Sequence, residues 1–98
     1  MYELEAELAQ AQAMIDVLTT RISAIPEADR AHFDGELQPL RARWRDARWS
    51  YDEAKAKGGE VRRQYERQSR DALGEVQDGL LRLIGEMNRH YAGHPPPR

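Results

Sequence analysis

The sequence predicts an all-α fold, specifically an antiparallel three-helix bundle with coiled-coil-like packing. Ala, Glu, Lys, Leu and Arg supply 47 of the 98 residues, a composition typical of long helices and coiled coils. Large aliphatic residues are few, but a net charge of -2 is too small for a disordered chain. Apolar residues also recur at alternating spacings of three and four, which is the period of one helical face.

Helix 1 is predicted over residues 2–24. Its apolar positions alternate at spacings of four and three without exception. They are Leu4, Leu8, Ala11, Ile15, Leu18, Ile22 and Ile25. Pro26 disfavours helical geometry at the residue before it, so we expect the helix to end near Ala24.

Residues 25–37 are predicted to form a connector. Pro26 and the pair Asp34-Gly35 interrupt this stretch, Pro39 follows it, and prolines and glycines favour turns over helices. We expect at most one helical turn in it, around residues 27–32.

Helix 2 is predicted over residues 38–57 and helix 3 over residues 60–91. The apolar positions of helix 2 are Leu40, Trp44, Ala47, Tyr51 and Ala54. Those of helix 3 are Val61, Tyr65, Gln68, Ala72, Val76, Leu80, Leu83 and Met87, with one slip in the spacing after Gln68. Residues 1–92 then form a single domain, and the proline-rich residues 93–98 form a disordered tail.

The pair Gly58-Gly59 leaves two topologies open. As a tight turn, it gives the antiparallel bundle; as part of a continuous helix, it gives helix 1 plus one long rod in a dimer. Two glycines inside an exposed helix cost about 2 kcal/mol. Lys55 and Lys57 before the glycines also suit a helix end, so the sequence favours the turn.

The second half of helix 3 holds the densest apolar run of the chain, and helix 3 is longer than its predicted neighbours. The sequence leaves two ways of burying this run. Either Phe33 and Leu37 of the connector pack over it, or a second copy of the chain does. A second copy would give a homodimer around Leu80, Leu83, Ile84 and Met87.

The composition argues against an enzyme. The chain has no Cys, which excludes disulfides and thiolate chemistry. Its serines have no histidine at helical spacing. The narrow apolar faces of the helices also leave little room for a concave substrate pocket. We therefore expect no catalytic residues and no cofactor. The amino-terminal stretch is acidic, and no apolar run approaches about 18 residues, so we expect a cytoplasmic protein without a membrane partner.

A metal site is also not expected. Glu86, His90 and His94 are spaced at i, i+4 and i+8, but Gly93 and Pro95 end the helix before His94 completes the set. His32 lies in the predicted connector without a companion, so the sequence assigns it no ligand role.

Two features point to recognition of another molecule. Trp49 lies on the opposite side of helix 2 from its apolar positions, and Trp is enriched at binding hot spots. Arginines at helical spacing form exposed stripes that suit carboxylate or phosphate groups. The candidate residues for binding a protein are Trp49, Arg45, Arg63, Arg67, Arg70 and Leu81. The candidate residues for binding phosphate are Arg41, Arg45, Arg48, Arg63, Arg67 and Arg70. The alternative for Trp49 is that its side chain lies along its own helix or packs under the connector, and the alternative for the arginines is a solvated face without a ligand.

Three functions remain open on the sequence. The favoured one is a non-enzymatic protein-interaction module, such as an adaptor, assembly factor or inhibitor, whose partner is another protein. The first alternative is nucleic-acid binding through the basic residues of 41–70. The second alternative is a structural coiled-coil oligomer.

Overall fold

The chain folds into three helices over the part that the structure, a computed structural model, describes, namely residues 2–92 with the side chains of 3–91. The helices are α1 (Tyr2–Ala24), α2 (Glu27–Ala56) and α3 (Gly59–Ala92). They form an antiparallel bundle with dimensions of 53 × 20 × 17 Å and a radius of gyration of 15.8 Å. The predicted fold class is confirmed. The predicted tail, residues 93–98, lies outside the described residues.

The first helix has the bounds that its apolar spacing predicts, residues 2 to 24. All seven predicted core positions, from Leu4 to Ile25, are buried. Glu3 and Glu5 lie in the first turn, where their charge stabilises the positive end of the helix dipole. Local sequence and burial agree throughout α1, which is why its bounds are readable from the sequence.

The second helix begins at Glu27, so the predicted connector over 25–37 and the predicted start at 38 are wrong. Only Ile25 and Pro26 separate α1 from α2, and the Pro26 carbonyl accepts the amide hydrogens of Asp29 and Arg30. Phe33 and Leu37 are buried. They continue the spacing of helix 2 backwards, giving the series 33, 37, 40, 44, 47, 51 and 54, in which steps of four and three alternate. Burial of this longer apolar face overrides the local turn signals.

Pro39 lies inside α2 rather than at its start. It has no amide hydrogen for the carbonyl of Gly35, and a proline in a helix interior costs about 3 kcal/mol. Both residues are exposed, so the Gly35 carbonyl is open to solvent. Burial of the apolar face of α2 offsets the cost of the proline.

Gly58 and Gly59 form the turn between α2 and α3. The Lys57 amide donates to the Ala54 carbonyl, and Gly59 has a φ of 61°, a left-handed conformation that other residues rarely adopt. The chain reverses here, and α2 packs along α3 from the turn to Asp29 and His90. The single-rod alternative is therefore wrong for this chain.

The core positions of α3 follow a regular spacing from Ser69 onward. Gln68, a predicted core position, is exposed; Ser69 is fully buried, and its hydroxyl donates to the Ala47 carbonyl over 2.7 Å. When Ser69 rather than Gln68 is taken as the core position, the buried series is 69, 73, 76, 80, 83 and 87. Steps of four and three then alternate, and the irregular step predicted after Gln68 is absent. A serine is a core residue here because α2 supplies an acceptor for its hydroxyl.

The apolar run late in α3 is covered within the chain. Leu80, Leu83 and Met87 are buried, and Ile84 is partly buried. Within the chain these residues pack in one core cluster with residues of α1 and α2. The homodimer predicted around Leu80, Leu83, Ile84 and Met87 stays a prediction. The extra turns of α2 at residues 27–37 supply the cover that the sequence left open.

Candidate interaction surfaces and a polar cluster

Trp49 lies on the outer side of α2, and 56% of its surface is exposed. The Tyr65 ring of α3 packs edge-on against the indole, with ring centroids 5.6 Å apart and an interplanar angle of 79°. Beside the indole lies a depression of about 410 Å³ between α2 and α3. Its lining residues are Arg43, Asp46, Trp49, Ser50, Gln68, Asp71 and Ala72. We call this depression the Trp49 groove.

The Trp49 groove carries a surplus of acidic groups. Arg43 Nε donates to Glu75 Oε2 over 2.6 Å, and its Nη1 lies 3.4 Å from Asp46 Oδ2. The one arginine of the groove thus has two carboxylate partners, and Asp71 on the opposite wall adds a further negative charge. The surface next to the indole is therefore suited to a basic group rather than a phosphate.

The other tryptophan of α2, Trp44, has the opposite environment. It packs partly buried against the core, and its Nε1 donates to the Leu8 carbonyl of α1 over 2.9 Å. Its polar atom is satisfied within the chain, so Trp44 joins two helices and is not a recognition residue.

The predicted arginine stripe of α2 faces α1. Arg41 donates to the Thr19 hydroxyl. Arg45 lines a depression of about 340 Å³ between α1 and α2. Arg48 lies 3.4 Å from Asp52 and stacks over the Tyr51 ring at 5.6 Å. Two of the three guanidinium groups already have partners in the chain, which weakens the interpretation of this stripe as a phosphate site.

The arginines of α3 remain on the surface. Arg63, Arg67 and Arg70 are exposed, and Arg63 Nη1 lies 3.8 Å from Glu60. Among the side chains of residues 3–91, Arg67 and Arg70 enter no ion pair. That these arginines bind a ligand stays a prediction.

Leu81 belongs to a different surface from Trp49. It is 65% exposed, and Ile84, one turn further along α3, lines a shallow depression with Met14 and Val17 of α1. The predicted protein-binding residues are therefore spread over three grooves rather than brought together: Arg45 between α1 and α2, Trp49 between α2 and α3, and Leu81 beside the depression between α1 and α3.

Three polar side chains, His32 and Glu36 of α2 and Glu86 of α3, form a cluster between these two helices. It lies near the end of the helix pair that is opposite the Gly58-Gly59 turn. His32 Nε2 lies 2.7 Å from Glu86 Oε1 and 3.5 Å from Glu36 Oε1. The expectation that His32 has no companion is wrong, because it assumed a connector where α2 is helical. With α2 extended to Glu27, His32 and Glu36 fall one turn apart on the side of the helix that faces α3.

Hydrogen bonding shifts the pKa values of this cluster in opposite directions. The hydrogen bond to Glu86 raises the pKa of His32 above its ordinary value, and the same bond lowers the pKa of Glu86. Partial burial and a hydrogen bond to Glu86 raise the pKa of Glu36. The two carboxyl groups and the imidazole therefore behave as one linked set.

His90 pairs with a different partner from the one that its spacing suggests. Its Nε2 lies 3.2 Å from Asp29 Oδ2 on α2, whereas Glu86, one turn earlier, contacts His32. His94, the third member of the spaced set, lies outside the described residues.

Comparisons with known protein families, curated proteins and solved structures found no match to this chain. No helix between Tyr2 and Ala92 is long and apolar enough to cross a membrane.

Proposed function

We infer that the chain is a non-enzymatic protein-interaction module of the cytoplasm that docks through the Trp49 groove. The observation that carries this proposal is the half-exposed Trp49 indole, held by Tyr65 beside an open depression. An aromatic side chain that is already ordered by a neighbour loses little conformational entropy on binding, and Trp is the residue type most enriched at hot spots.

The chemistry of the groove indicates the kind of partner segment. An indole face beside Asp46 and Asp71 favours a Lys or Arg side chain, which gains a cation–π contact and a carboxylate partner together. Tyr65 and the partly exposed Val61 extend the apolar surface toward the turn. We therefore propose a partner segment that presents a basic side chain next to an apolar one.

Two of the three serine hydroxyls support a role without catalysis. Ser69 donates to the Ala47 carbonyl, and Ser23 donates to the Thr19 carbonyl over 2.9 Å. Both hydroxyls are engaged by the backbone rather than by a general base, so neither is set up as a nucleophile.

A photo-crosslinking residue in the groove tests the proposal. It is placed at Gln68, in the wall of the Trp49 groove, and for the matched control at Gln10, which is exposed on α1. We expect a specific protein to crosslink at position 68 and not at position 10. The captured protein is then purified and titrated against the chain by calorimetry.

In that titration Trp49→Ala should weaken binding at least about tenfold, because a hot-spot aromatic contributes about 2 kcal/mol or more. Val17→Ala, which trims an exposed apolar side chain on another face, should change the affinity less than about twofold. Equal affinity of the wild type and Trp49→Ala would overturn the proposal.

Nucleic-acid binding and self-association remain the competing functions. A salt-sensitive anisotropy shift with duplex or single-stranded oligonucleotides, lost in Arg67→Glu but kept in Trp49→Ala, would favour the arginines of α3 instead. Sedimentation of the chain as a stable oligomer would favour the structural coiled coil.

A further inference from the structure

We propose that His32, Glu36 and Glu86 form a binding site for one divalent transition-metal cation of the zinc type. This inference is independent of the proposed docking function, because the cluster lies near the end of the hairpin away from its turn and shares no residue with the Trp49 groove.

The donor atoms converge as a metal site requires. One imidazole nitrogen and one oxygen from each carboxylate all lie within 4.8 Å of one another. The ligands of a tetrahedral zinc ion lie about 3.3 Å apart, because each metal–ligand bond is about 2.0 Å long. The distances from His32 Nε2 to Glu86 and Glu36, 2.7 and 3.5 Å, bracket that separation. Small side-chain rotations therefore bring all three atoms onto a common centre.

The scaffold holds the ligands on two packed helices rather than on loops. His32 and Glu36 lie one turn apart on α2, and Glu86 faces them from α3. Phe33, which is buried, packs edge-on against the His32 ring at 5.1 Å and against the His90 ring at 5.7 Å. A ligand set on helices with a buried neighbour is kept close to its binding geometry.

Charge also fits a divalent cation. Glu36 and Glu86 bring two carboxylates to the same imidazole nitrogen. A cation with two positive charges neutralises both carboxylates. One nitrogen and two oxygen donors suit zinc, cobalt or nickel, whereas calcium and magnesium require oxygen-rich sites.

Room for further ligands lies beside the cluster. A surface depression of about 270 Å³ borders Glu36 and Glu86 and continues along Leu40, Gly79, Arg82 and Leu83. Three protein ligands with an adjacent open space are the arrangement in which water completes the coordination of zinc.

Titration of the full, untagged chain, stripped with EDTA, tests the site. Zn²⁺ binding is measured by calorimetry, and Co²⁺ binding by the visible absorption of the tetrahedral ion. We expect one high-affinity equivalent per chain and an increase in melting temperature with Zn²⁺. Mg²⁺ and Ca²⁺ should not compete. Competition by either ion at similar concentration would identify a non-specific acidic patch and overturn the proposal.

Matched variants assign the ligands. Glu86→Gln and His32→Asn should each weaken Zn²⁺ binding at least about tenfold, since each removes a metal-binding atom. Both side chains are partly exposed, and circular dichroism checks that the helices are retained. His90→Asn alters the neighbouring imidazole–carboxylate pair across the same helices and should change the affinity less than about threefold, as should His94→Asn.

Two further results would overturn the assignment. Unchanged affinity in both Glu86→Gln and His32→Asn would remove the site. A larger loss in His90→Asn or His94→Asn than in His32→Asn would move the metal to the sequence-spaced set Glu86, His90 and His94.

Discussion

Trp44 and Trp49 are five residues apart on α2, and the two sides of the helix give them opposite roles. Trp44 lies against α1 and bonds to the Leu8 carbonyl, whereas Trp49 is half exposed and packs against Tyr65 in a T-shaped arrangement. Residue type alone does not separate a structural tryptophan from a recognition tryptophan. The difference comes from which side of α2 the neighbouring helices occupy.

The largest expected effect comes from truncating the packed tryptophan. Trp44→Ala should lower the free energy of unfolding by about 3 kcal/mol, because it removes a partly buried indole and its hydrogen bond to α1. Trp49→Ala should change it by less than about 1 kcal/mol, since only the edge contact with Tyr65 is lost. Urea unfolding followed by circular dichroism measures both. Equal losses in the two variants would contradict the assigned environments.

Two glycines of α3 show the same contrast, since Gly79 lies close to α2 and Gly74 has open space beside it. A Cβ at Gly79 would collide with the Leu40 side chain of α2. Gly79→Ala should therefore destabilise the chain by about 1 kcal/mol, because overpacking outweighs the higher helix propensity of alanine. In a Leu40→Ala background the same substitution should become stabilising, and a double-mutant cycle in urea measures this reversal. Destabilisation of the same size in both backgrounds would show that Leu40 is not the cause.

A Cβ at Gly74, in contrast, has no heavy atom within 4 Å. Gly74→Ala should stabilise the chain by about 1 kcal/mol, because only the backbone entropy and helix propensity change. The melting temperature should rise by about 4–8 °C on this account. A fall in melting temperature would mean that this side of α3 is covered in solution.

The smallest expected effect concerns the exposed contact between His32 of α2 and Glu86 of α3. In metal-free protein the pKa of His32, followed by NMR of its ring protons, should lie above 6.5 and should fall in Glu86→Gln. The pKa of His32 is higher in the folded state than in the unfolded state. The stabilisation from this contact is therefore complete when the pH is below the pKa of the unfolded state, and it disappears as the pH rises through the pKa of the folded state. An unchanged His32 titration in Glu86→Gln would rule out the hydrogen bond between them.

Much of the fold follows from the spacing of apolar residues. The limits of α1, the turn at Gly58-Gly59 and the course of α3 to within one residue at each end are all readable from the sequence. The start of α2 is not, because Asp34-Gly35 and Pro39 carry strong local turn signals. The spacing of Phe33 and Leu37 relative to Leu40 was the available signal. Given more weight than the proline, it extends the helix back to Phe33, about two turns after its actual start at Glu27.

The polar cluster was missed for the same reason. With residues 25–37 taken as a connector, His32 had no fixed neighbours, and Glu86 was compared only with residues on its own helix. A contact between residues 54 positions apart depends on the register of α2 against α3. Spacing along one helix carries no information about that register.

The sequence by itself determined that the chain is helical, where α1 ends and that Trp49 lies away from the core of its own helix, and it favoured a reversal at Gly58-Gly59. These properties depend on local backbone preferences and on a single-helix period. Tertiary structure decided that α2 runs through Pro39, that Ser69 is a core residue and that His32 meets two carboxyl groups. Each of these follows from contacts between helices, because burial of a long apolar face outweighs the local cost of a proline or a buried hydroxyl.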